Sequence, residues 1–387
     1  MTDASRPLVA FNRPAVGEEE LDAIKDVLTG THLSGDGSYT VRCETWLSKR
    51  FNDAEVMLTH SCTAALELAA LLLELGPGDE AIVPSYTFSS TANAIVLTGA
   101  TPVFADCELP SMNIDAATLE ALITPKTKAI FVTHYAGRAP DMDAIGEIAA
   151  RYDLPIVEDA AQSLGASYNG RQAGTHSAMS TLSFHETKNI ISGEGGALVI
   201  NDPQYVERAA IIREKGTNRK AFMMNMVDKY TWVDVGSSYL PSEITAAFLF
   251  PQLKRTDLVT EQRKQICEMY RGALQGLSQR GLELIPQDTE ACVSNGHIFF
   301  GLLPSEALRT DFLNQMKQRG IQVTPHYIPL HSAIAGERFG VAPDGCPRTE
   351  EASKRLIRLP VYFGLDDEKN ALVAQAAYEI LDSILPF

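Results

Sequence analysis

Residues Thr181 to Asn201 read TLSFHETKNIISGEGGALVIN: two short apolar segments around a polar turn that carries Lys188 and a glycine-rich bend through Gly193, Gly195 and Gly196. The first segment reads as a strand ending in Ser183 and Phe184, and Ala197 to Ile200 as a second strand. Successive glycines permit backbone geometry and a close ligand approach that side chains forbid. A lysine in a polar turn is ordinarily a solvated cation. Held between buried strands it would instead be desolvated, with a lowered pKa and the capacity to form a Schiff base with a carbonyl compound. Which applies depends on what the rest of the chain brings to this turn.

Outward from it, the chain alternates strand and helix. Glu18 to Leu28 reads as a helix, with acids in its first turn, Leu21, Ile24 and Leu28 on one face and Gly30 as its stop. A turn at Ser34 to Gly37, a helix from Arg42 to Phe51 and a strand from Glu55 to Leu58 follow. Thr63 to Leu75, TAALELAALLLEL, consists of strong helix formers closed by Gly76-Pro77-Gly78, which puts Ser61 to Thr63 at a helix N-terminus. Strands at Ala81 to Pro84, Thr101 to Ala105, Ala129 to Thr133 and Pro155 to Glu158 alternate with helices at Thr91 to Leu97, Leu119 to Ile123 and Met142 to Tyr152. Such alternation implies parallel pairing through right-handed crossovers, hence an α/β sheet covered on both faces, with ligands at the carboxyl ends of its strands. His134 and Asp159 fall at that edge.

After about Phe250 the texture changes to that of a smaller α+β lobe. It comprises a long helix from Leu253 to Leu274, strands at Leu282 to Ile285 and from His297, a helix from Thr310 to Arg319, a strand near Val323 and a last helix from Glu368 to Ile384. The expected division is a large domain over 1–250 and a small C-terminal domain over 251–387.

With 33 basic against 49 acidic residues, a net charge of −16, the chain lacks the positive footprint that general nucleic-acid or anionic-membrane binding requires. The six cysteines, at 43, 62, 107, 267, 292 and 346, show no framework spacing, which fits reduced thiols in a cytoplasm. MTDASRPLVA has no cationic start or apolar run of a leader, and no apolar stretch approaches a membrane span.

Three positions along this frame carry chemistry. At Ser61-Cys62-Thr63 the orphan N–H groups of a helix start and adjacent hydroxyls can hold a phosphate; plain N-capping is the alternative, and Cys62 as a nucleophile a third. Asp159, in VEDAAQ, is a carboxylate at an apolar strand end, which needs a partner such as a protonated pyridine nitrogen unless it merely caps the next helix. Phe88, in PSYTF, can stack on a flat ring or belong to the core. A phosphate turn, a strand-end aspartate and a desolvated lysine are together the anchors that pyridoxal 5'-phosphate needs.

THSCTAAL from Thr59, PSYTF from Pro84, VEDAAQ from Val157, and SFHETKN from Ser183 with GEGG from Gly193, in that order, resemble the DegT/DnrJ/StrS sugar aminotransferases over essentially the whole chain. REKGTNR from Arg213, VDKYTW from Val227, GSSYL from Gly236 and HYIPLH from His326 resemble the members that act at C4 of a dTDP-linked 4-keto-6-deoxy sugar. The resemblance implies a pyridoxal-phosphate-dependent transferase of fold type I, α/β, with a mostly parallel seven-stranded sheet and a homodimer whose active sites are completed by the partner. It implies Lys188 as the catalytic lysine that binds the cofactor, Asp159 as the pyridinium partner and Gln162 as a contact to the phenolic oxygen. It further implies Cys62, Thr63 and Ser183 at the phosphate, and Phe88 over the ring. Where most relatives carry an asparagine that reaches the partner's phosphate, this chain has Ser238, and Cys62 replaces a usual glycine.

For the substrate, the resemblance implies a nucleotide sugar, an amino donor that is L-glutamate by analogy, and passage through the pyridoxamine form. Arg213, Lys215, Arg219, Lys220 and Lys229 against Glu214 and Asp228 form a local cationic excess suited to a diphosphate, or a solvated loop. Lys215, Arg219 and Tyr230 are taken as nucleotide-sugar contacts, and His326, Tyr327 and His331 as sugar contacts. The two histidines also admit a metal pair, but no third ligand accompanies them, so no metal is expected. Amination of another keto sugar, with gluco stereochemistry or at C3, stays open. A dehydratase on the same fold is disfavoured because those relatives replace the lysine with histidine, and a non-catalytic sugar-nucleotide binder because no fused signalling segment is visible.

Overall fold

The computed structural model describes residues 8–223 and 225–386, without the side chains of Lys220 and Ala221. The first seven residues, on which the expectation of no leader partly rests, and the Lys220 side chain of the cationic cluster therefore lie outside the described residues.

Seven strands build the main sheet: β1 (Glu55–Thr59), β2 (Glu80–Pro84), β3 (Thr101–Ala105), β4 (Thr127–Thr133), β5 (Ile156–Asp159), β6 (Met179–Ser183) and β7 (Gly196–Ile200). Their spatial order is β1-β7-β6-β5-β4-β2-β3. Pairing is parallel throughout from β6 to β3, and only β7 runs against its neighbours β6 and β1. Between the two strands Phe184 to Gly195 forms turns and no crossover helix, so the chain folds back beside the strand it has just left. Apolar strands such as AIFV and ALVI are buried on both faces, as the helices on either side require. The expectation of a mostly parallel, covered α/β sheet of seven strands holds.

Two neighbouring residues of β5 face opposite ways. Glu158 points beneath the sheet and accepts hydrogen bonds from Gly174 N, His176 N and Ser177 Oγ, each at 2.8 Å, while His134 Nε2 lies 2.8 Å from it. Burial pushes its carboxyl up, but these contacts outweigh burial and hold it below the usual carboxylate value. His134, fully buried, thus contacts Glu158 inside the fold and is not at the ligand edge. Asp159 points the other way, toward the carboxyl edge.

A second sheet, β8 (Glu283–Leu284), β9 (Phe299–Leu302) and β10 (Leu356–Leu359), is antiparallel in the order β8-β9-β10. Its core gathers Phe299, Phe300, Phe312 and Ile380, together with Val9 from the other end of the chain. Val9 forms a bridge with Ile321.

Four local expectations change. The helix Glu18–Thr29 buries Glu20, Ala23 and Val27, while Leu21 and Leu28 are 57% and 58% exposed. Glu20 is drawn inward by Arg255 Nη2 at 2.5 Å and Gln252 Nε2 at 3.0 Å, and this polar anchor overrides the leucine stripe. The long helix expected from Leu253 starts at Thr256 and runs to Leu274; Leu253 belongs to a preceding, unforeseen helix, Glu243–Lys254, and the two meet at Arg255, the residue bound to Glu20. Near Val323 the described residues form no ladder, only single bridges at Ile321 and Thr324. Instead β10, not foreseen, completes the small sheet. Among the described residues no helix is long and apolar enough to cross a membrane.

Candidate active site

Because β2, β4, β5 and β6 are parallel, their carboxyl ends share one edge, and the helix Cys62–Leu72 starts there after β1. Around that edge lies a cavity of about 620 Å³ lined by Ser61, Cys62, Thr63, Phe88, Asp159, Gln162, Ser183, Lys188 and Tyr327, among others. A single cavity of this size lies within the range of small-molecule sites.

Ser61 caps the helix by accepting from Ala64 N at 3.1 Å, which leaves the first-turn N–H groups of Cys62 and Thr63 without intrahelical acceptors. With the positive end of the helix dipole behind them, these groups make an anion cradle. Thr63 Oγ1 lies 2.7 Å from Ser90 Oγ. β7 begins directly against this turn: a Cβ on Gly196 would overlap the backbone of Ser61 and the nitrogen of Cys62. Gly196→Ala is therefore expected to displace the cradle, destabilising the fold by about 1–3 kcal/mol. Thermal unfolding and cofactor retention on dialysis check this; an unchanged melting temperature with full retention would contradict it. Burial, helped by the Asp159 charge, raises the Cys62 thiol well above its ordinary value, which removes the nucleophile reading.

Asp159 is 4% exposed. It accepts from Thr91 Oγ1 at 2.7 Å and Ala161 N at 3.2 Å, and Thr91 is tied through Thr87 to Thr133 by hydroxyl contacts of 3.1 and 2.8 Å. No cationic side chain of the described residues lies within ion-pair distance of it, yet it faces the cavity. A buried carboxylate in that position calls for a cationic partner, and a protonated pyridine nitrogen satisfies it. One register step away, Asp159 pairs with Thr181 of β6, whose strand leads into the Lys188 turn. Lys188 lines the same cavity; burial lowers its pKa, Arg358 adds to that, and Cys62 and Asp159 oppose it. Helix-start donors, a carboxylate and a desolvated amine that line one cavity fit pyridoxal phosphate.

The cavity wall is aromatic and fixed by polar contacts. Gln162 accepts from Ala136 N at 2.8 Å and donates to Tyr327 OH at 3.0 Å. Tyr327 stacks on His326 with ring centroids 3.7 Å apart, and His326 Nδ1 lies 2.7 Å from Tyr135 OH. Burial first, then Arg358 and Lys188, depresses the His326 pKa well below the usual imidazole value, so its ring is neutral. Phe88 lies 6.2 Å from Tyr327 and is 58% exposed at the mouth. His185 also lines the cavity, its Nδ1 2.9 Å from Thr187 Oγ1, whereas Glu186 is exposed.

Other expected site residues stand apart from this chain's cavity. Ser238 is exposed and bridges Glu214. Lys215 and Arg219 both pair with Glu214, at 3.4 and 3.2 Å, and Tyr230 is exposed beside Phe222. His331 contacts Ser85 Oγ at 2.6 Å and lies 3.6 Å from Glu350, outside the lining. The cavity instead receives residues not foreseen: Phe11, Asn12, Arg263, His297 and Arg358. An arginine interrupting the apolar run LIRL was the available signal for the last.

Known proteins share this fold. Residues 14–377 match the DegT/DnrJ/EryC1/StrS aminotransferase family. The chain is 32% identical over 376 residues to MJ1066 of Methanocaldococcus jannaschii, an uncharacterized protein, covering 95% of this chain and 96% of that one. Among solved structures it resembles TlmJ, an aminotransferase from Streptoalloteichus hindustanus, with a TM-score of 0.89, 28% identity and 97% and 100% of the two chains covered. It also resembles the candidate sugar aminotransferase Spr1654 of Streptococcus pneumoniae. For the pyridoxamine-phosphate form of that protein the TM-score is 0.90, with 27% identity and 97% and 100% of the chains covered. For its pyridoxal-phosphate form the TM-score is 0.90, with 26% identity and 98% and 100% covered. The fold is that of the pyridoxal-phosphate-dependent aminotransferases, and the chain belongs to the DegT/DnrJ/EryC1/StrS aminotransferase family.

Proposed function

We propose that the enzyme is dTDP-4-amino-4,6-dideoxygalactose transaminase. In this reading it moves an amino group from L-glutamate to C4 of dTDP-4-keto-6-deoxy-D-glucose, a step of enterobacterial common antigen biosynthesis in the cytoplasm. The residues from Arg213 to Leu240 and from His326 to His331 support that substrate by their resemblance to enzymes of this activity.

The observation that carries the reading is the placement of the first of these segments. Its Lys215, Arg219, Tyr230 and Ser238 do not line its own chain's cavity, and it exposes Met223, Met226 and Trp232 at 69%, 72% and 77%. Clustered apolar exposure of this kind marks an interaction surface, and we assign it to a second copy. In the homodimer each chain would offer Lys215, Arg219 and Tyr230 to the nucleotide diphosphate in its partner's cavity and Ser238 to the cofactor phosphate. His326 and Tyr327 would meet the sugar from within the cavity's own chain. Residues 1–250 form the cofactor-binding domain and 251–387 the small domain in this proposal, with Val9 joined to the latter.

Bound pyridoxal phosphate supplies an electron sink for the carbon that loses its proton. The chain's own residues do the rest. Cys62 and Thr63 hold the phosphate through backbone N–H groups, and Ser183 adds a side-chain donor. Asp159 keeps the pyridine nitrogen protonated, Gln162 reaches the phenolic oxygen and Phe88 covers the ring. Lys188, with its lowered pKa, anchors the cofactor and then carries a proton to and from the substrate carbon.

Incubating the enzyme with L-glutamate and dTDP-4-keto-6-deoxy-D-glucose, and reading C4 by proton NMR, tests the assignment. The small H4 couplings of an axial amine are expected; an equatorial amine, or amination at C3, would replace the proposed substrate or product with a relative's.

A further inference from the structure

Arg358 is the one charged residue of β10, between Ile357 and Leu359, both buried in the small-lobe core. Its guanidinium is fixed from three directions. Nε and Nη2 donate to the Pro325 carbonyl at 3.1 and 2.9 Å, and Nη2 also donates to Thr324 Oγ1 at 2.9 Å. Its central carbon lies 4.8 Å from the centroid of the Phe11 ring, a cation–π distance. Nη1 has no acceptor among the described residues, and no carboxylate of those residues lies within ion-pair distance of the group. Arg358 nevertheless lines the cavity that holds Lys188. Burial disfavours its charge, and only the hydroxyls of Tyr135, Tyr86 and Tyr327 act the other way.

A preorganised cation that faces a cavity and has no carboxylate within ion-pair distance is set for a ligand anion. Three anions come to an aminotransferase: the cofactor phosphate, the diphosphate of a sugar nucleotide and the carboxylate of an amino-acid donor. The phosphate has its own cradle at Cys62 and Thr63. A diphosphate hangs from the sugar at a distance from the reacting carbon, whereas the α-carboxylate of an amino acid is bonded to that carbon. Arg358 and Lys188 line the same cavity, as the third case requires. The planar fork of an arginine also matches a carboxylate. Arg263, the other arginine of the cavity, is buried and less free: its Nε and Nη2 are committed to the carbonyls of Gly296 and His297 at 3.1 and 2.7 Å.

We infer that Arg358 holds the α-carboxylate of the amino-acid donor, on the same chain as the lysine that receives its amino group. The inference rests on the reading that the donor is an amino acid. It makes the two half-reactions unequal, because a keto sugar has no carboxylate at its reacting end.

The test uses the holoenzyme and Arg358→Gln, with three measurements: the single-turnover spectral change with L-glutamate against its concentration, the affinity for maleate, an unreactive dicarboxylate, and the affinity for dTDP, the last two by calorimetry. Expected in the variant are half-saturation by glutamate raised about 30-fold or more, a comparable loss of maleate affinity and dTDP binding within twofold of wild type. Saturation by glutamate as in wild type overturns the assignment, as does a large loss confined to dTDP, which would make Arg358 a diphosphate contact. Should Arg358→Gln not fold, Arg358→Lys keeps the charge but loses the fork; a rise of about tenfold is expected, and no rise overturns it. The donor half-reaction needs no sugar, so failure with the 4-keto sugar leaves this result readable. A wild-type enzyme that accepts only another α-amino acid sinks glutamate as donor, and the comparison is then made with that amino acid.

Discussion

Lys188→Ala is expected to lower transamination by about 10⁴-fold or more, because one side chain holds two functions whose losses multiply. A positioned proton-transfer group is worth about 10²–10⁴-fold, and the covalent anchor that brings cofactor and substrate together is lost as well. The cavity lining contains no second lysine among the described residues, and the arginines there stay protonated and cannot substitute as bases. Lys188→Arg should be equally inactive, although it keeps the charge. Single-turnover kinetics with glutamate, and borohydride reduction followed by peptide mapping, provide the check: wild type should carry the reduced cofactor on Lys188, and neither variant should carry it. Either variant retaining full turnover would refute the assignment.

Asp159→Asn is expected to lower kcat by about 10²–10³-fold, the size of effect found when one fixed electrostatic contact to a reacting system is removed. The substitution keeps shape and can keep the hydrogen-bonded relation to Thr91, so the loss isolates the charge. The two forms of the protein should respond with opposite sign in stability. In the apoenzyme Asp159 is a buried carboxylate without a cation, and neutralising it removes a desolvation penalty. In the holoenzyme the same change leaves the ring nitrogen without its partner. The apo variant should therefore melt no lower than apo wild type, while the holo variant melts below holo wild type. A structural carboxylate with no cofactor role would move both in the same direction.

The parts of the site legible in the sequence share one property: each lies at the end of a strand or the start of a helix. The small-helix-former run after Ser61 located Thr63, PIVE located Asp159 and the two strands around SGEGG located Lys188, because chain order alone puts such ends on one edge of a parallel sheet. Arg263, His297 and Arg358 reach the cavity from the second lobe, through packing that no spacing encodes. Leu21 and Leu28 misled for a related reason. The buried face of their helix is set by Glu20, and a charged residue turned inward by Arg255 and Gln252 is not visible to a pattern that counts apolar positions. The residues from Lys215 to Ser238 are a further case, since their assigned role lies in the partner's cavity and one chain cannot display it.

The opposed directions of Glu158 and Asp159 on β5 have a consequence for how the molecule matures. Slipping that strand by a single residue would turn the aspartate underneath, against His134 and the Gly174–Ser177 loop, and bring the glutamate up one position short of the ring. A collapsed chain with all its helices but that one pairing wrong would have the lysine and the phosphate turn, and nothing to hold a pyridinium. The register of β5 is thus what supplies the pocket with its carboxylate: a misregistered chain, however compact, would present His134 with an aspartate and the ring nitrogen with no partner.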